Sequence, residues 1–522
     1  MQQCDIILEK RTRWVAWGIL LLTMLAYSRA VTCGYIWDDD MYVTNNPVLT
    51  TGMQGLADAW LKPGSTPQYY PLVFTTFWLE HQIWGLWAGG YHLVNVLLHG
   101  LAAVLLWQVL RKIGLAIWPA TLAVMLFAVH PVHVESVAWI TERKNVLSAV
   151  CYLAAAWCYL SFDDTRKARF WVAALLCFIL ALLSKTVACT LPASLLLYVW
   201  YKRGKITLKD ILPTLPLWVI GIAMGLFTVY MEKTHVGASG SQWQLNAIER
   251  FLLAGRTLSF YAGKLAWPSP LIFTYPKWQI DASQGWQWLF PIGVLALLGW
   301  EVARSIQTGR RGRSFALLFF AGTLFPALGF FDVFPFTYSY VADHFQYLAS
   351  IGSITLIAIV LAQRPVMGLS VVLVFAALTW QQIGIYKDAK TLWLDTLDKN
   401  PNAWMAHTNL GVIYIEQGNE PAAIAEFQNA LQIKPDYAEA LANMGAVAML
   451  HERYDEAGKW LDQALTSRSN FYRALVNMAR VQVKLAHPRK AIEYYKQALA
   501  IMEVPALRKE LEQLEQQVDQ SE

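Results

Sequence analysis

The stretch "GYIWDDDMYVTNNPVL", residues 34–49, places Asp38, Asp39 and Asp40 directly after an apolar run long enough to cross a bilayer. Charge is costly beside hydrocarbon, and a loop that only caps the next helix has no need of three carboxylates. A carboxylate here could take a proton from an acceptor hydroxyl, with a neighbour tuning it or holding a metal. Asp38 and Asp39 are the catalytic candidates. Residues 127–148, "FAVHPVHVESVAWITERKNVLS", gather His130, His133, Glu135, Glu142, Arg143 and Lys144. His130 and His133 at i, i+3 could bind metal, but no third ligand is spaced to close the site. Lys185 ends an apolar run, where either function or snorkelling to the interface explains it. His92, Asn95 and His99 share one helix face, suited to helix–helix hydrogen bonds or to a ligand. Glu80 and His81 are polar-face or site-lining residues. Asp343 and His344 lie between Tyr340 and Tyr347. Carboxylates and cations thus meet at one membrane face. The pattern fits a substrate with a lipid tail and a phosphate head, such as a polyprenyl-phosphate sugar. Arg143, Lys144, Lys185 and Arg256 are the candidate phosphate contacts, and a divalent metal is left open.

The elements that must position these residues are membrane helices. The chain has 522 residues, 56% hydrophobic and only 15% charged, with 24 Trp, where a soluble chain averages about 25% charged residues. Mean hydropathy is +0.34. Apolar windows predict about eleven spans, centred on 14–32, 92–110, 116–134, 145–162, 169–185, 187–201, 212–231, 286–303, 314–331, 346–363 and 366–385. The basic loops at 111–114, 163–169, 201–205 and 304–313, with the basic N-terminus, read as cytoplasmic. The outer loops are then 33–90, 232–285 and 332–345. Parity requires that 250–267, which holds Arg256 and Lys264, does not cross but lies re-entrant or interfacial. The N-terminal apolar run lacks a small-x-small cleavage site and reads as a retained first span. Arg143 and Lys144 in "TERKN" fall outside against the rule, as cations kept to meet an anion would. Cys33 is expected near the outer surface, and no disulfide framework is implied.

Beyond residue 385 the pattern changes. Gly411, Gly445 and Ala479 recur every 34 residues, as do Ala423, Ala457 and Ala491. That is the tetratricopeptide pattern, small residues where paired helices cross. Three copies span about 404–505, with a polar capping helix at 506–520. Residues 386–522 carry 15 Lys+Arg against 19 Asp+Glu, so this domain is mildly acidic while the membrane domain is basic. Its concave face predicts a protein acceptor rather than nucleic acid, with Trp404, Asn409, Tyr414, Asn443 and Asn477 as candidate acceptor contacts.

The blocks "WDDDMYVTNNP", "YYPL", "HLVNVLLH", "FAVHPVHVESVAWITERKNVLS", "LLSK" and "ADHFQYLASIG", followed by the repeats, resemble the transmembrane O-mannosyltransferases with tetratricopeptide repeats. The resemblance implies a GT-C fold and a dolichyl-phosphate sugar donor used on the lumenal side. It aligns an acidic motif with Asp38 and Asp39 and leaves Asp40 outside. It also marks departures: Tyr70 where the family tends to have Arg, Thr186 where it tends to have Glu, and Asp343–His344 where it tends to have Glu-Arg.

The resulting expectation is an all-α polytopic GT-C-type domain over 1–385 and a tetratricopeptide α-solenoid over 386–522. The expected activity is inverting transfer of a mannose-like sugar from polyprenyl phosphate to a protein hydroxyl at the outer face. Inversion follows from a single displacement without a glycosyl-enzyme. The compact chain points to a bacterial inner membrane with periplasmic repeats, or to the ER membrane in a eukaryote. Rival readings are a GT-C enzyme acting on an envelope lipid or polysaccharide, a membrane-anchored repeat scaffold, and a transporter, whose charges should sit nearer the midplane.

Overall fold

The computed structural model describes residues 2–236 and 245–521; of the outer loop 232–285, residues 237–244 lie outside the described residues. Among the described residues every regular element is helical. The chain divides into two compact units, Met1–Leu392 and Trp393–Glu522.

Among the described residues the first unit holds five helices long and apolar enough to cross a membrane: Ala88–Lys112, Ile140–Thr165, Leu208–His235, Gly285–Thr308 and Pro365–Tyr386. A sixth is the pair Ile117–Ala128 and Pro131–Ala138, bent by 48°. This is an integral membrane protein. Four of the other apolar windows hold shorter helices, Ala168–Leu182, Leu191–Arg203, Gly312–Ala327 and Ser350–Leu361, while the window at 14–32 falls on the end of the 25-residue helix Gln2–Ala26, whose apolar part is Arg13–Ala26. Length and composition therefore support five or six spans where the windows predicted eleven. The reason is local. Proline is tolerated in the first turn of an α-helix, so the window at 187–201 opens on the 3-10 turn Thr186–Thr190 and becomes α-helical only from Leu191, with Pro192 next. The window at 346–363 opens on a short turn, and its helix starts at Ser350.

Ala88–Lys112 and Arg143–Thr165 form the middle of the unit, with Ala102, Ala103, Ala149 and Ala155 buried where the helices approach. Val219, Leu226, Leu289 and Leu295 are exposed on peripheral helices, as side chains facing lipid would be. The basic loops converge on one side. Asp163 pairs with Arg166 at 3.0 Å, Lys202 at 3.3 Å and Arg203, and Asp164 pairs with Lys112 at 3.2 Å and Lys202 at 2.8 Å. Gly204, at φ +76°, leaves room for Arg311; a Cβ there would stand 2.3 Å from the guanidinium. Residues 250–267 form one helix, Ala247–Ala266, capped by Asn246 and Glu249, outside the set of long apolar helices.

The second unit stacks helix pairs: Trp404–Glu416 with Glu420–Ile433, Ala438–Leu450 with Tyr454–Ser467, and Tyr472–Lys484 with Pro488–Ile501, then Pro505–Ser521. The 34-residue period is a packing requirement. A Cβ on Gly411 would meet the Phe427 ring at 2.5 Å, and one on Gly445 would meet Leu461 at 2.8 Å. The unit begins at 393 rather than 386. Tyr386 is buried with its ring 6.2 Å from Phe273, and Lys387 O accepts from Gly34 N at 2.8 Å, which fastens this segment to the first unit. Cys33 is buried rather than at the surface, its thiol against the Arg29 and Ile383 carbonyls.

Candidate active site

The acidic loop is tied down at both ends. His92 Nε2 bonds Gly34 O at 3.2 Å. Asn46 caps the Pro47–Thr50 helix by accepting from Val48 N, and its amide reaches back to Met41 O at 2.9 Å. Between them Trp37 adopts φ +43°, a left-handed conformation that costs a non-glycine residue about 1–3 kcal/mol. Its ring is clamped by Trp139 at 5.4 Å, Phe273 at 5.5 Å and Tyr338 at 6.5 Å. The kink separates the aspartates. Asp39 is wholly buried. Its Oδ1 accepts from Thr141 N at 2.9 Å and Thr141 Oγ1 at 2.7 Å, and its Oδ2 from Ile36 N at 2.9 Å. Asp38 keeps a buried Oδ1 with no hydrogen-bond partner among the described residues. Asp40 is exposed and bonds Met41 N.

Beside Asp38 lies a cluster centred on Glu142, which is buried. Glu142 Oε1 pairs with Lys144 at 3.2 Å, and Oε2 accepts from Lys185 at 3.0 Å and Asn145 at 2.6 Å. Lys144 also reaches Gln68 Oε1 at 3.2 Å and lies 5.0 Å over the Tyr42 ring. Lys185 keeps 16% of its side chain exposed, so it is the cation of the pair open to a ligand. His344 stands 3.9 Å from Glu142 and gives its other ring nitrogen to Glu135 Oε1 at 2.5 Å. Asp343 accepts from Tyr275 OH at 3.1 Å.

Burial moves these groups. It lifts Asp38 from 3.8 to about 8 against the pull of Lys144, with Asp39 adding to the rise. It lifts Asp39 to about 7, opposed by the Thr141 and Ile36 hydrogen bonds. Burial lowers His344 to about 3 against the pull of Glu142, so its imidazole is neutral near pH 7. A carboxylate titrating near neutrality matches the demands on a general base far better than an ordinary aspartate does.

Other candidates sit elsewhere than the sequence suggested. Arg143 is fully buried, and all five of its N–H donors stay inside the protein: on Asn95, on Thr76 at 3.2 Å, on both oxygens of Glu80, and on Tyr91 O at 2.8 Å. It has no donor left for a phosphate. Glu80, a polar-face candidate from sequence, is its buried counter-ion. Arg256 stacks on Trp278 at 4.3 Å and Trp286 at 5.3 Å, neither of them in the lysine–glutamate cluster. His130 bonds Leu265 O and Val132 N, while His133 bonds Phe127 O and Ser350 Oγ. Both rings are occupied by packing partners and are not set to bind metal. Among the described residues no group of three or more His, Cys, Asp or Glu could hold a metal ion. Tyr70 is buried, with Thr186 beside its hydroxyl; His81 is half-buried in the last turn of Pro71–Trp84. Among the repeat candidates Asn443 is buried and Asn409 donates to Met405 O, while Trp404, Tyr414 and Asn477 are half-buried. Sequence reasoning missed Thr141, Gln68, Glu232 and Tyr275. Gln68 joins Lys144, Tyr42 and Glu232, and no spacing in the chain announces a contact between residues 68 and 232.

Residues 65–230, which contain Glu142, Lys144 and Lys185, match the family described as dolichyl-phosphate-mannose-protein mannosyltransferase. Residues 411–451 and 436–503 match tetratricopeptide repeats. Protein O-mannosyl-transferase F38B6.6 of Caenorhabditis elegans is 25% identical over 80% of this chain and 62% of its own length. Protein O-mannosyl-transferase Tmtc1 of Drosophila melanogaster is 35% identical over 32% of this chain and 20% of its own. Protein O-mannosyl-transferase TMTC2 of Homo sapiens is 36% identical over 29% and 19%. The chain thus spans less than two thirds of each of these relatives. Residues 65–230 are thus similar to the dolichyl-phosphate-mannose-protein mannosyltransferase family and residues 411–503 to tetratricopeptide repeats, and the relatives that match are protein O-mannosyl-transferases.

Proposed function

We propose that the chain is an inverting glycosyltransferase that moves a mannose-like sugar from a polyprenyl-phosphate donor to a hydroxyl of a protein. The observation that carries this reading is the unpartnered Asp38 oxygen beside two lysines held on one buried glutamate. The acceptor oxygen attacks the sugar's anomeric carbon and forms the new C–O bond. The bond from that carbon to the phosphate oxygen breaks, and its electron pair leaves with the polyprenyl phosphate. The acceptor proton goes to Asp38. Lys185 and Lys144 offset the phosphate's charge, and Glu142 fixes where they stand. With His344 neutral, Glu142 and the two lysines together carry one net positive charge, suited to an anionic leaving group. Asp39 positions the loop through Thr141 rather than meeting the proton. The repeats recruit the acceptor. The clustered basic loops face the cytoplasm and the acidic loop faces the opposite side, the periplasm or the ER lumen.

The test is transfer by the purified full-length chain from radiolabelled mannosyl polyprenyl phosphate to protein. Wild type should label protein and release polyprenyl phosphate, and Asp38→Asn should do neither. Transfer that survives Asp38→Asn unchanged rejects Asp38 as the base. A wild-type chain that discharges no polyprenyl-phosphate sugar rejects the activity itself.

A further inference from the structure

Next to the cluster lies an aromatic wall that the transfer chemistry leaves unused. Trp139 is buried, and its ring stands 5.4 Å from Trp37, 5.2 Å from Phe273 and 5.8 Å from His344. Its indole N–H has no hydrogen-bond partner among the described residues. The same holds for Glu135 Oε2, on a side chain that is equally buried. Glu135 lies in the short helix Val134–Ala138 and Trp139 is the extended residue that ends it, and His344 links them: its ring touches the indole and its Nδ1 bonds Glu135 Oε1. Buried polar groups almost always find partners, and an indole N–H and a carboxylate oxygen left without one are open to a ligand that supplies both. One donor and one acceptor, both over 90% buried, beside flat aromatic faces, match the chemistry of a hexose, which offers hydroxyls at its edge and an apolar C–H face. A metal fits poorly, because the indole N–H is donor-only. Trp37 and Tyr338 are half-buried, so they are the members of the wall that reach the outside, and Trp37 is joined directly to Asp38.

We propose that Trp139 and Glu135 form the subsite for the donor's sugar, with Trp139 Nε1 donating to one ring hydroxyl, Glu135 Oε2 accepting from another, and Trp37 stacking on the C–H face. The assignment rests on the donor reading above and names which residues select the sugar. It makes Trp139 and Glu135 determinants of which hexose is transferred, separate from the lysines that hold phosphate.

The experiment compares binding of two lipids to the full-length chain in detergent: mannosyl polyprenyl phosphate and the same polyprenyl phosphate without sugar. Trp139→Phe keeps the ring and removes the N–H. It should weaken the sugar-bearing lipid about tenfold, one lost hydrogen bond, and leave the sugarless lipid within twofold. Glu135→Gln, which turns one oxygen into a donor, should do the same. Equal losses for both lipids, or no loss for either, overturn the subsite. A second arm needs no variant: wild type is offered donors that each lack one sugar hydroxyl. At least one should bind about tenfold more weakly, and equal affinity for all of them overturns the subsite even if both variants fail to fold. A wild-type chain that binds neither lipid overturns the donor reading, and the subsite with it. That outcome differs from tight binding of both lipids with no discrimination, which rejects the subsite alone.

Discussion

Replacing Asp38 by Asn should change the pH profile of transfer as well as its rate. If Asp38 is the base, only its ionised form works. With a value near 8, about a tenth is ionised at pH 7 and about a hundredth at pH 6, so the rate should rise about tenfold from pH 6 to 7 and level off near pH 9. If Asp39 were the base, its value near 7 would bring the plateau a unit lower. The two carboxylates are neighbours, so the measured midpoint belongs to the pair, but removing Asp38 separates them. Asp38→Asn keeps size and should lower turnover by about 10²–10⁴-fold and flatten the alkaline rise. The same substitution has a stability signature. A carboxyl with a folded value above its unfolded one makes the native state bind the extra proton, so its contribution falls as pH climbs from about 4 to about 8. Asp38→Asn should remove that decline and unfold no earlier than wild type at pH 8. The assay is initial-rate transfer between pH 6 and 9, alongside melting of the same samples. A flat wild-type profile, or Asp38→Asn with full rate and an unchanged profile, refutes the reasoning.

Arg143→Met leaves Glu80 buried without its counter-ion and should cost about 3–5 kcal/mol, seen as a large drop in melting temperature with donor affinity of the folded fraction unchanged; a tenfold affinity loss at normal melting would restore Arg143 as a phosphate ligand. Lys185→Gln removes the more exposed cation of the pair and should weaken donor binding about tenfold or more, a charge-assisted hydrogen bond being worth about 1.5–3 kcal/mol; titration of the lipid-linked sugar checks it, and unchanged affinity would make Lys185 structural. Deleting residues 404–522 should abolish transfer to a protein acceptor while donor binding persists; normal labelling of the natural acceptor by the truncated chain would end the recruitment role. A reporter active only in the cytoplasm, fused after Glu522, should be silent, and a strong signal would invert the proposed topology.

What the sequence disclosed depended on the range of the interaction. Patterns that repeat along the chain were legible: the 34-residue period became helix pairs at the stated positions because Gly411 and Gly445 sit where no Cβ fits. Apolar windows located helices, but their lengths depended on where proline and short turns cut them, so eleven windows became five or six long apolar spans among the described residues. The acidic loop was legible as chemistry because three carboxylates beside hydrocarbon need a reason. Which aspartate keeps a usable oxygen was not, since that is decided by Thr141, 102 residues away. Arg143 shows the limit most clearly. From sequence it and Lys144 are adjacent cations in an outer loop, equally fit for an anion. Helical geometry turns consecutive residues by about 100°, so the two point apart: one into Glu80 and Asn95, the other toward Glu142 and Gln68. A charge's sign can be read from the chain, but its availability depends on whether a long-range partner has already taken it, and Glu80 supplies that partner from the helix Pro71–Trp84, 63 residues away.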